Sequence, residues 1–514
     1  MVIVSTASRY AIITGFVTSI DGSSVVLSSD HSLSTTEKNE HFDVDRLESM
    51  GTHAMSLASV ASFMSDDVER TKLRRLVIDL DEPHFDKIPK SMVEKVSSLI
   101  KGLNKEQARA VVRSLVAKDY ALIQGLPGAG KSTTLSCVIR CFLKLGQTVL
   151  VTSHTHSAVD NLFEKFMNDV PEEDLLRIGN MYAVKEKLAH LTIEAKLVKI
   201  KEDRFHAMKQ ILNSVKVVGA TCLSVNSHPL FSFRRFDVCL VDEASLAVES
   251  SLLSALSVCS KFVLVGDAKQ LAPLVQSREA KELGMGISLF EKLQKNTTAL
   301  TSLNSQYRMN EKVAGFSSTL FYSGTLVCAN ESIAKECIKI NSTEKPLSRI
   351  YSPELEHSVV FMDTHSESSP ESQMSSQKGS SATYNNFEAT QINQICNKFV
   401  RLGINPVDIG VVCTYRRQVD VIRDILDEKY VEVNTVDQFQ GRDKSIIIWS
   451  LVWTNSDSRC ELLHDERRVN VALTRAKHKL ILVGCHSSMQ LVSPIMCSLL
   501  KLIPSSDVVS IDSI

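Results

Sequence analysis

Apolar and polar positions alternate over residues 9–30, with Asp21-Gly22 between two strand-like runs, Ala11–Ile20 and Val25–Ser29. Alternation of period two around an Asp-Gly turn predicts a β-hairpin. Phe16 and Val17 make it part of a small β-barrel or sheet, assigned to residues 1–45. Residues 46–100 read as a polar helical linker. From residue 101 the pattern changes to short apolar runs at Tyr120–Gln124, Thr148–Thr152, Val215–Ala220, Val238–Val241 and Phe262–Val265. Helical stretches separate these runs, which predicts a mostly parallel sheet covered on both faces. Residues 183–212 are charged and helical and read as an insertion. A second α/β block is predicted over 296–495, with strands at Ile409–Cys413, Ile446–Trp449 and Leu480–Val483, and 496–514 as a C-terminal tail. Within it, residues 364–386 are rich in Ser, Gln, Asn and Gly, and their polarity predicts a disordered loop. The fold class is therefore α/β: two α/β domains, 101–295 and 296–495, that follow a barrel-like segment and a helical linker.

Composition narrows this little. The 514 residues are 44% hydrophobic and 23% charged, which is ordinary for a globular protein. No apolar window is long enough for a transmembrane helix, and the first residues do not resemble a signal peptide. Twelve scattered cysteines form no CxxC pair and no zinc or iron–sulfur spacing, so they read as reduced core thiols. The net charge of −1 neither supports nor excludes a nucleic-acid partner, because a sliding protein holds few phosphates at once.

The chemistry begins at Gly125-Leu-Pro127-Gly128-Ala129-Gly130-Lys131-Ser132, a complete phosphate-binding loop. It follows an apolar strand and opens a helix at Thr133, the context that motif requires. Its glycines let backbone N–H groups turn toward phosphate oxygens. Lys131 can reach the β- and γ-phosphates of ATP, and Ser132 can ligate Mg²⁺. About 110 residues on, a buried strand ends in Asp242-Glu243, where open sheets place ligands. Asp242 is the second metal candidate, and Glu243 the residue to orient and deprotonate a water. Gln270, after the strand ending at Val265, is a candidate sensor of the γ-phosphate or a plain loop residue. In the second block, Arg308 and Arg475 are candidates to insert at the γ-phosphate and stabilise transition-state charge; surface arginines at helix starts are the alternative.

Seven segments in order carry a family resemblance: GLPGAGKSTT, VTSHTHSAVDNL, VDEAS, LVGDAKQLAPLV, SQYRMN, VNTVDQFQGRDKSII and RRVNVALTRAKHKLILVG. The chain resembles the superfamily 1 helicases of the Upf-one-like branch, and within it the DNA replication helicase/nuclease family. Leu76–His84 and Ile100–Gln107 add to that resemblance. It implies two RecA-like domains around one ATP and 5′-to-3′ movement on single-stranded DNA. It also implies work in replication, including Okazaki-fragment processing, and in repair. It implies that Gln107 reads adenine, although Asn104 and Gln107 also fit a helix capping box. Tyr307 would stack on the base, and Arg308 and Arg475 would be arginine fingers. Gln440, Gly441 and Asp443 would couple the nucleotide to the track. Thr152, Ser153, Thr221, Thr414, Asn434 and Thr435 would touch the nucleic-acid backbone, with capping as the alternative for each. Expected partners are single-stranded DNA, or RNA, and replication and repair proteins such as a single-strand-binding protein. Nuclear residence, or mitochondrial, is expected from the same resemblance. That family also carries a nuclease domain and an iron–sulfur cluster; no residues of this chain read as either, so nuclease activity is not expected of it. An RNA helicase of the same branch and a non-unwinding ATP-binding clamp stand as alternatives.

Overall fold

The computed structural model describes residues 2–6, 9, 12–21, 24–29, 41–46, 51–180, 183–198, 204–340, 348–364, 383–454 and 460–510. Nearly all of the Ser-rich segment, Gly22 of the hairpin turn and part of the 183–212 insertion lie outside the described residues. The chain divides into two compact units, 1–65 and 66–514.

In the first unit the hairpin is present: Ile13–Asp21 pairs antiparallel with Ser24–Ser28. Val2–Ser5 and Asp43–Arg46 add two strands, giving one four-stranded sheet. The helix Gly51–Phe63 belongs to this unit, so the predicted linker is split.

The second unit is built on two parallel sheets, each the centre of a RecA-like α/β domain, as the alternating pattern predicts. The first sheet runs, in space, Leu300–Leu303, Tyr120–Gly125, Cys259–Gly266, Phe236–Asp242, Val149–Ser153, Val217–Thr221, Leu175–Arg177. The second runs Glu432–Thr435, Ile409–Cys413, Lys444–Ser450, Ala476–Gly484, Val359–Asp363, Val508–Ser510. Two predicted boundaries need correction. Leu300–Leu303 pairs with Tyr120–Gly125, so the first domain extends beyond residue 295. Val508–Ser510 pairs with Val359–Asp363, so the C-terminal tail contributes an edge strand. Short strands of three to five residues carry too little period to be separated from loops; long-range pairing makes them strands.

Helices cover both faces. The helix Lys131–Lys144 buries Leu135, Val138, Ile139 and Phe142 against the first sheet, each such side chain contributing about 1.5–3 kcal/mol. The helix Lys105–Val116 starts with a full capping box: Asn104 Oδ1 accepts from the Gln107 N–H at 2.8 Å, and Gln107 Oε1 accepts from the Asn104 N–H at 3.2 Å.

One buried carboxyl in the second domain sets a pH dependence. Glu388 is fully buried and accepts from the Ser450 hydroxyl (2.7 Å) and the Val452 N–H (3.0 Å). These bonds hold Val452 at φ +66°, a left-handed conformation rare for a β-branched residue. Burial pushes the Glu388 carboxyl up to about 7 from an ordinary 4.5. A raised carboxyl means that the folded chain holds a proton that the unfolded chain has already lost. Stability therefore falls as pH rises from about 4.5 through about 7, by a total of about 3 kcal/mol for this group. Glu388→Gln mimics the protonated form, so its melting temperature should lose part of the decline that the unaltered chain shows across that window. Equal slopes for the two proteins in a thermal-melt series would show that Glu388 keeps its charge throughout.

Candidate active site

The phosphate loop leaves the strand Tyr120–Gly125 and enters the helix Lys131–Lys144 through two left-handed glycines, Gly128 (φ +73°) and Gly130 (φ +76°). A Cβ on Gly128 would lie 2.7 Å from Arg308 Cβ, and one on Gly130 would lie 2.6 Å from Gln107 Nε2. The left-handed backbone disfavours other residues at both positions, and at Gly128 the Arg308 Cβ also leaves no room. Lys131 Nζ donates to the Gly125 carbonyl at 2.9 Å. Gln107 Nε2 donates to the Ala129 carbonyl at 3.2 Å while its oxygen closes the capping box. Gln107 therefore props the loop from behind, and both ends of its amide are engaged. Tyr307 is 44% exposed, and its hydroxyl accepts from Asn104 Nδ2 at 2.8 Å. An open aromatic face beside a polar amide remains available to a base.

The strand Phe236–Asp242 delivers the acidic pair. Asp242 is buried, and its carboxyl is pushed up to about 7, first by burial and then by the adjacent Glu243, with Lys131 acting in the opposite direction. Glu243 sits at φ +51° and donates its N–H to Asp242 Oδ1 at 2.9 Å. That backbone strain is of order 1–3 kcal/mol and points the turn at the cleft. Gln440 Nε2, from the second domain, lies 3.5 Å from Glu243 Oε2.

The second domain brings its arginines to the same place. The Tyr307 N–H donates to the Gly128 carbonyl at 2.9 Å, which seats the Gln306–Asn310 segment on the loop. Arg308 Nε lies 2.9 Å from Asp443 Oδ2, and Lys477 Nζ lies 2.8 Å from Asp443 Oδ1. Burial alone would raise the Asp443 carboxyl, but Arg308 and Lys477 bring it below the usual range. Arg475 is 2% exposed. The hydrogen bonds of its side chain among the described residues go to the Val471 carbonyl (2.9 Å), the Arg442 carbonyl (3.3 Å) and the Thr474 hydroxyl (2.9 Å). Burial, and then the neighbouring Arg308, push its guanidinium down to about 9. Asp443 and Glu243 act in the opposite direction, but no carboxylate is among its hydrogen-bond partners, and a polyphosphate would supply acceptors of that charge.

One cleft of about 2570 Å³ collects these groups. Its walls include Pro127, Gly128, Ala129, Gly130, Lys131, Ser132, Thr133, Asp242, Glu243 and Gln270 from the first domain. Tyr307, Arg308, Gln440, Gly441, Asp443, Arg475 and Lys477 also line it. Gly125 and Gln107 stand behind the wall. The volume exceeds the roughly 300–1,000 Å³ of a small-ligand pocket, as a cleft between two domains should.

Two protein families, each described as AAA domain, match the chain, one over residues 102–204 and 196–278 and the other over 285–487. The DNA replication ATP-dependent helicase/nuclease of Xenopus laevis is 37% identical over 502 residues, 94% of this chain and 47% of its own length. The Homo sapiens protein of the same name is 38% identical over 512 residues, 95% of this chain and 47% of its own. The chain is similar to both along nearly its whole length. It spans about half the length of these relatives. A solved structure of arterivirus nonstructural protein 10, a helicase, with DNA aligns with a TM-score of 0.37 and 16% identity, over 78% of this chain and 67% of that one; a likeness at that level carries no weight.

The nucleic-acid candidates lie apart from the cleft. All six stand at carboxyl ends of parallel strands: Thr152 and Ser153 on Val149–Ser153, Thr221 on Val217–Thr221, Thr414 just after Ile409–Cys413, and Asn434 and Thr435 on Glu432–Thr435. Open sheets bind ligands along that edge. Their side chains differ. Thr152 is fully buried, with its hydroxyl 3.4 Å from Cys222 Sγ. Thr221 caps the helix Cys222–Ser227 through the Ser224 N–H at 3.2 Å, the capping alternative. The Thr414 hydroxyl donates to the Ser450 carbonyl at 3.1 Å. Asn434 accepts from Arg423 Nη2 at 3.0 Å, and both it and Thr435 are half-buried. Ser153 Oγ is buried without a partner among the described residues.

Sequence reading missed Lys477, although it lies inside a motif, because a lysine two residues past an arginine looks like surface charge. It also missed Glu291, whose carboxylate takes both of its contacts from Arg467 Nη2 at 3.0 Å across the two domains.

Proposed function

We propose that this chain is an ATP-driven motor that moves 5′ to 3′ along single-stranded DNA and serves DNA replication, including Okazaki-fragment processing, and repair. The observation that carries the ATP-driven part of this reading is the convergence of Lys131, Asp242 and Glu243 from one domain with Arg308 and Arg475 from the other in one cleft. In this reading Lys131 and the loop N–H groups hold the ATP phosphates. Glu243 takes a proton from a water as its oxygen attacks the γ-phosphorus, and ADP leaves. Arg308 and Arg475 stabilise the charge that develops on the γ-phosphoryl oxygens. Ser132 and Asp242 fit a hard dication: one offers a hydroxyl, and the other is a carboxyl raised to about 7 by burial and by the adjacent Glu243. Mg²⁺ bound there would neutralise the β- and γ-phosphates. Because the sites come from two domains, ATP favours closure and hydrolysis releases it. Repeated closure moves the strand-end groups of the two sheets along a backbone in turn.

Hydrolysis by the purified chain should rise strongly with single-stranded DNA and little with single-stranded RNA. A 5′-to-3′ displacement assay then tests direction. Stimulation by RNA alone would move the chain to the RNA-acting alternative. ATP binding without turnover under any condition would leave the clamp.

A further inference from the structure

A buried chain of hydrogen bonds joins the two domains behind the cleft. Gln270 follows the strand Cys259–Gly266, and its Nε2 donates to Asp267 Oδ2 at 2.9 Å. The Tyr322 hydroxyl donates to the same oxygen at 2.6 Å. Asn470 Nδ2 donates to the Tyr322 hydroxyl at 2.8 Å and to the Lys269 carbonyl at 2.7 Å. The Ser317 hydroxyl closes the chain on Asn470 Oδ1 at 2.6 Å. On the other side, the Asp267 N–H donates to Ser245 Oγ at 3.3 Å, on the acidic turn itself.

The direction of each bond is forced. A carboxylate only accepts, so Gln270 must face Asp267 with its nitrogen, and Tyr322 must donate. Burial, reinforced by Asp267, raises the Tyr322 phenol well above its ordinary range, which keeps that proton in place. Gln270, Asp267, Tyr322, Asn470 and Ser317 are all buried. Water therefore cannot replace a lost partner cheaply.

The chain also crosses the domain boundary. Asp267, Lys269 and Gln270 belong to the first domain. Tyr322 caps the helix Glu311–Phe321, which packs on the helix Glu466–Leu473 of the second. Asn470 lies on that second helix, which runs directly into Arg475. Separating the domains must break the Tyr322–Asp267 and Asn470–Lys269 bonds together.

We propose that Tyr322 is a positioning residue for ATP hydrolysis: its hydroxyl ties Asp267 to Asn470 and so fixes the Gln270 amide only when the two domains are closed. This rests on the motor reading above. Tyr322 does not touch the nucleotide. It sets the amide that faces the cleft and registers it against the helix that carries Arg475.

Tyr322→Phe in the full chain removes one oxygen and leaves the ring packing. The readouts are kcat and KM for ATP with single-stranded DNA, and affinity for a non-hydrolysable ATP analogue. The expected result is a fall in kcat of about ten- to a hundredfold, the range of a hydrogen bond to a charged group, with analogue affinity changed less than about twofold. Tyr322→Phe combined with Gln270→Ala should be no slower than Gln270→Ala alone. Asn470→Asp, which removes the amide donor, is a second variant held to the same split should the first fail to fold. An unaltered kcat, or equal losses of affinity and kcat that multiply in the double variant, would overturn the positioning role while leaving the motor reading intact. If the unaltered chain hydrolyses no ATP, the motor reading fails and this role fails with it.

Discussion

Glu243→Gln is expected to bind ATP as tightly as the unaltered chain and to hydrolyse it at least about a hundredfold more slowly, the lower range for loss of a general base. Glu243 is held at φ +51° at the end of a buried strand, beside Asp242, with its carboxylate toward Gln440 of the other domain. The amide keeps the size and the turn but cannot take a proton from water. It also removes one of the two neighbouring acids, so the Asp242 carboxyl should come down from about 7, since Glu243 is the second cause of its elevation. Metal-dependent nucleotide binding should therefore persist or improve in the variant. Nucleotide affinity by fluorescence and single-turnover hydrolysis separate the two effects. Turnover close to that of the unaltered chain would place the base elsewhere in the cleft.

The second large effect is expected at Arg475. Arg475→Ala should cut turnover by about a thousandfold or more, the contribution of an arginine finger, while affinity for ADP changes little. The side chain is 2% exposed, and its hydrogen bonds run to two backbone carbonyls and a hydroxyl. No carboxylate is among those partners, and Arg308 stands close enough to depress it. Such a guanidinium is desolvated but not neutralised, so it gains most when negative charge grows in front of it. Arg475→Lys is the informative companion. It keeps a charge but loses the planar fork, and it should recover packing, measured as melting temperature, without recovering turnover. Recovery of turnover by lysine would mean that charge alone matters at this position. A loss of ADP affinity equal to the loss of turnover would make Arg475 a ground-state binding residue.

The phosphate loop could be read directly because its demands are local. Two left-handed glycines, a strand before and a helix after are properties of adjacent residues, and the structure has all of them. The acidic pair was legible for the same reason, since a buried apolar run that ends in two acids can place them only at a sheet edge. Ile409–Cys413 formed as predicted, because five consecutive apolar or small residues between helices have few other places to go. The capping box at Asn104 and Gln107 was equally local, and its presence shows Gln107 supporting the loop. In contrast, Leu300–Leu303 and Val508–Ser510 became strands only through partners far away in the chain. The burial of the Thr152 hydroxyl against Cys222 depends on a neighbouring strand, not on the residues around it.

The sequence by itself determined the two α/β domains, the loop that can hold phosphates and the residue types able to do the chemistry, because backbone conformation and hydrophobic period are set within a few neighbouring residues. Only the tertiary structure decided which charges meet. Tyr322 and Asn470 are 148 positions apart, and Gln440 and Glu243 are 197 apart. In a linear reading Tyr322 is one more core aromatic and Arg475 one more basic residue. Packing two sheets around a shared cleft strips them of water, and desolvation turns an ordinary hydroxyl and an ordinary guanidinium into groups whose partners matter.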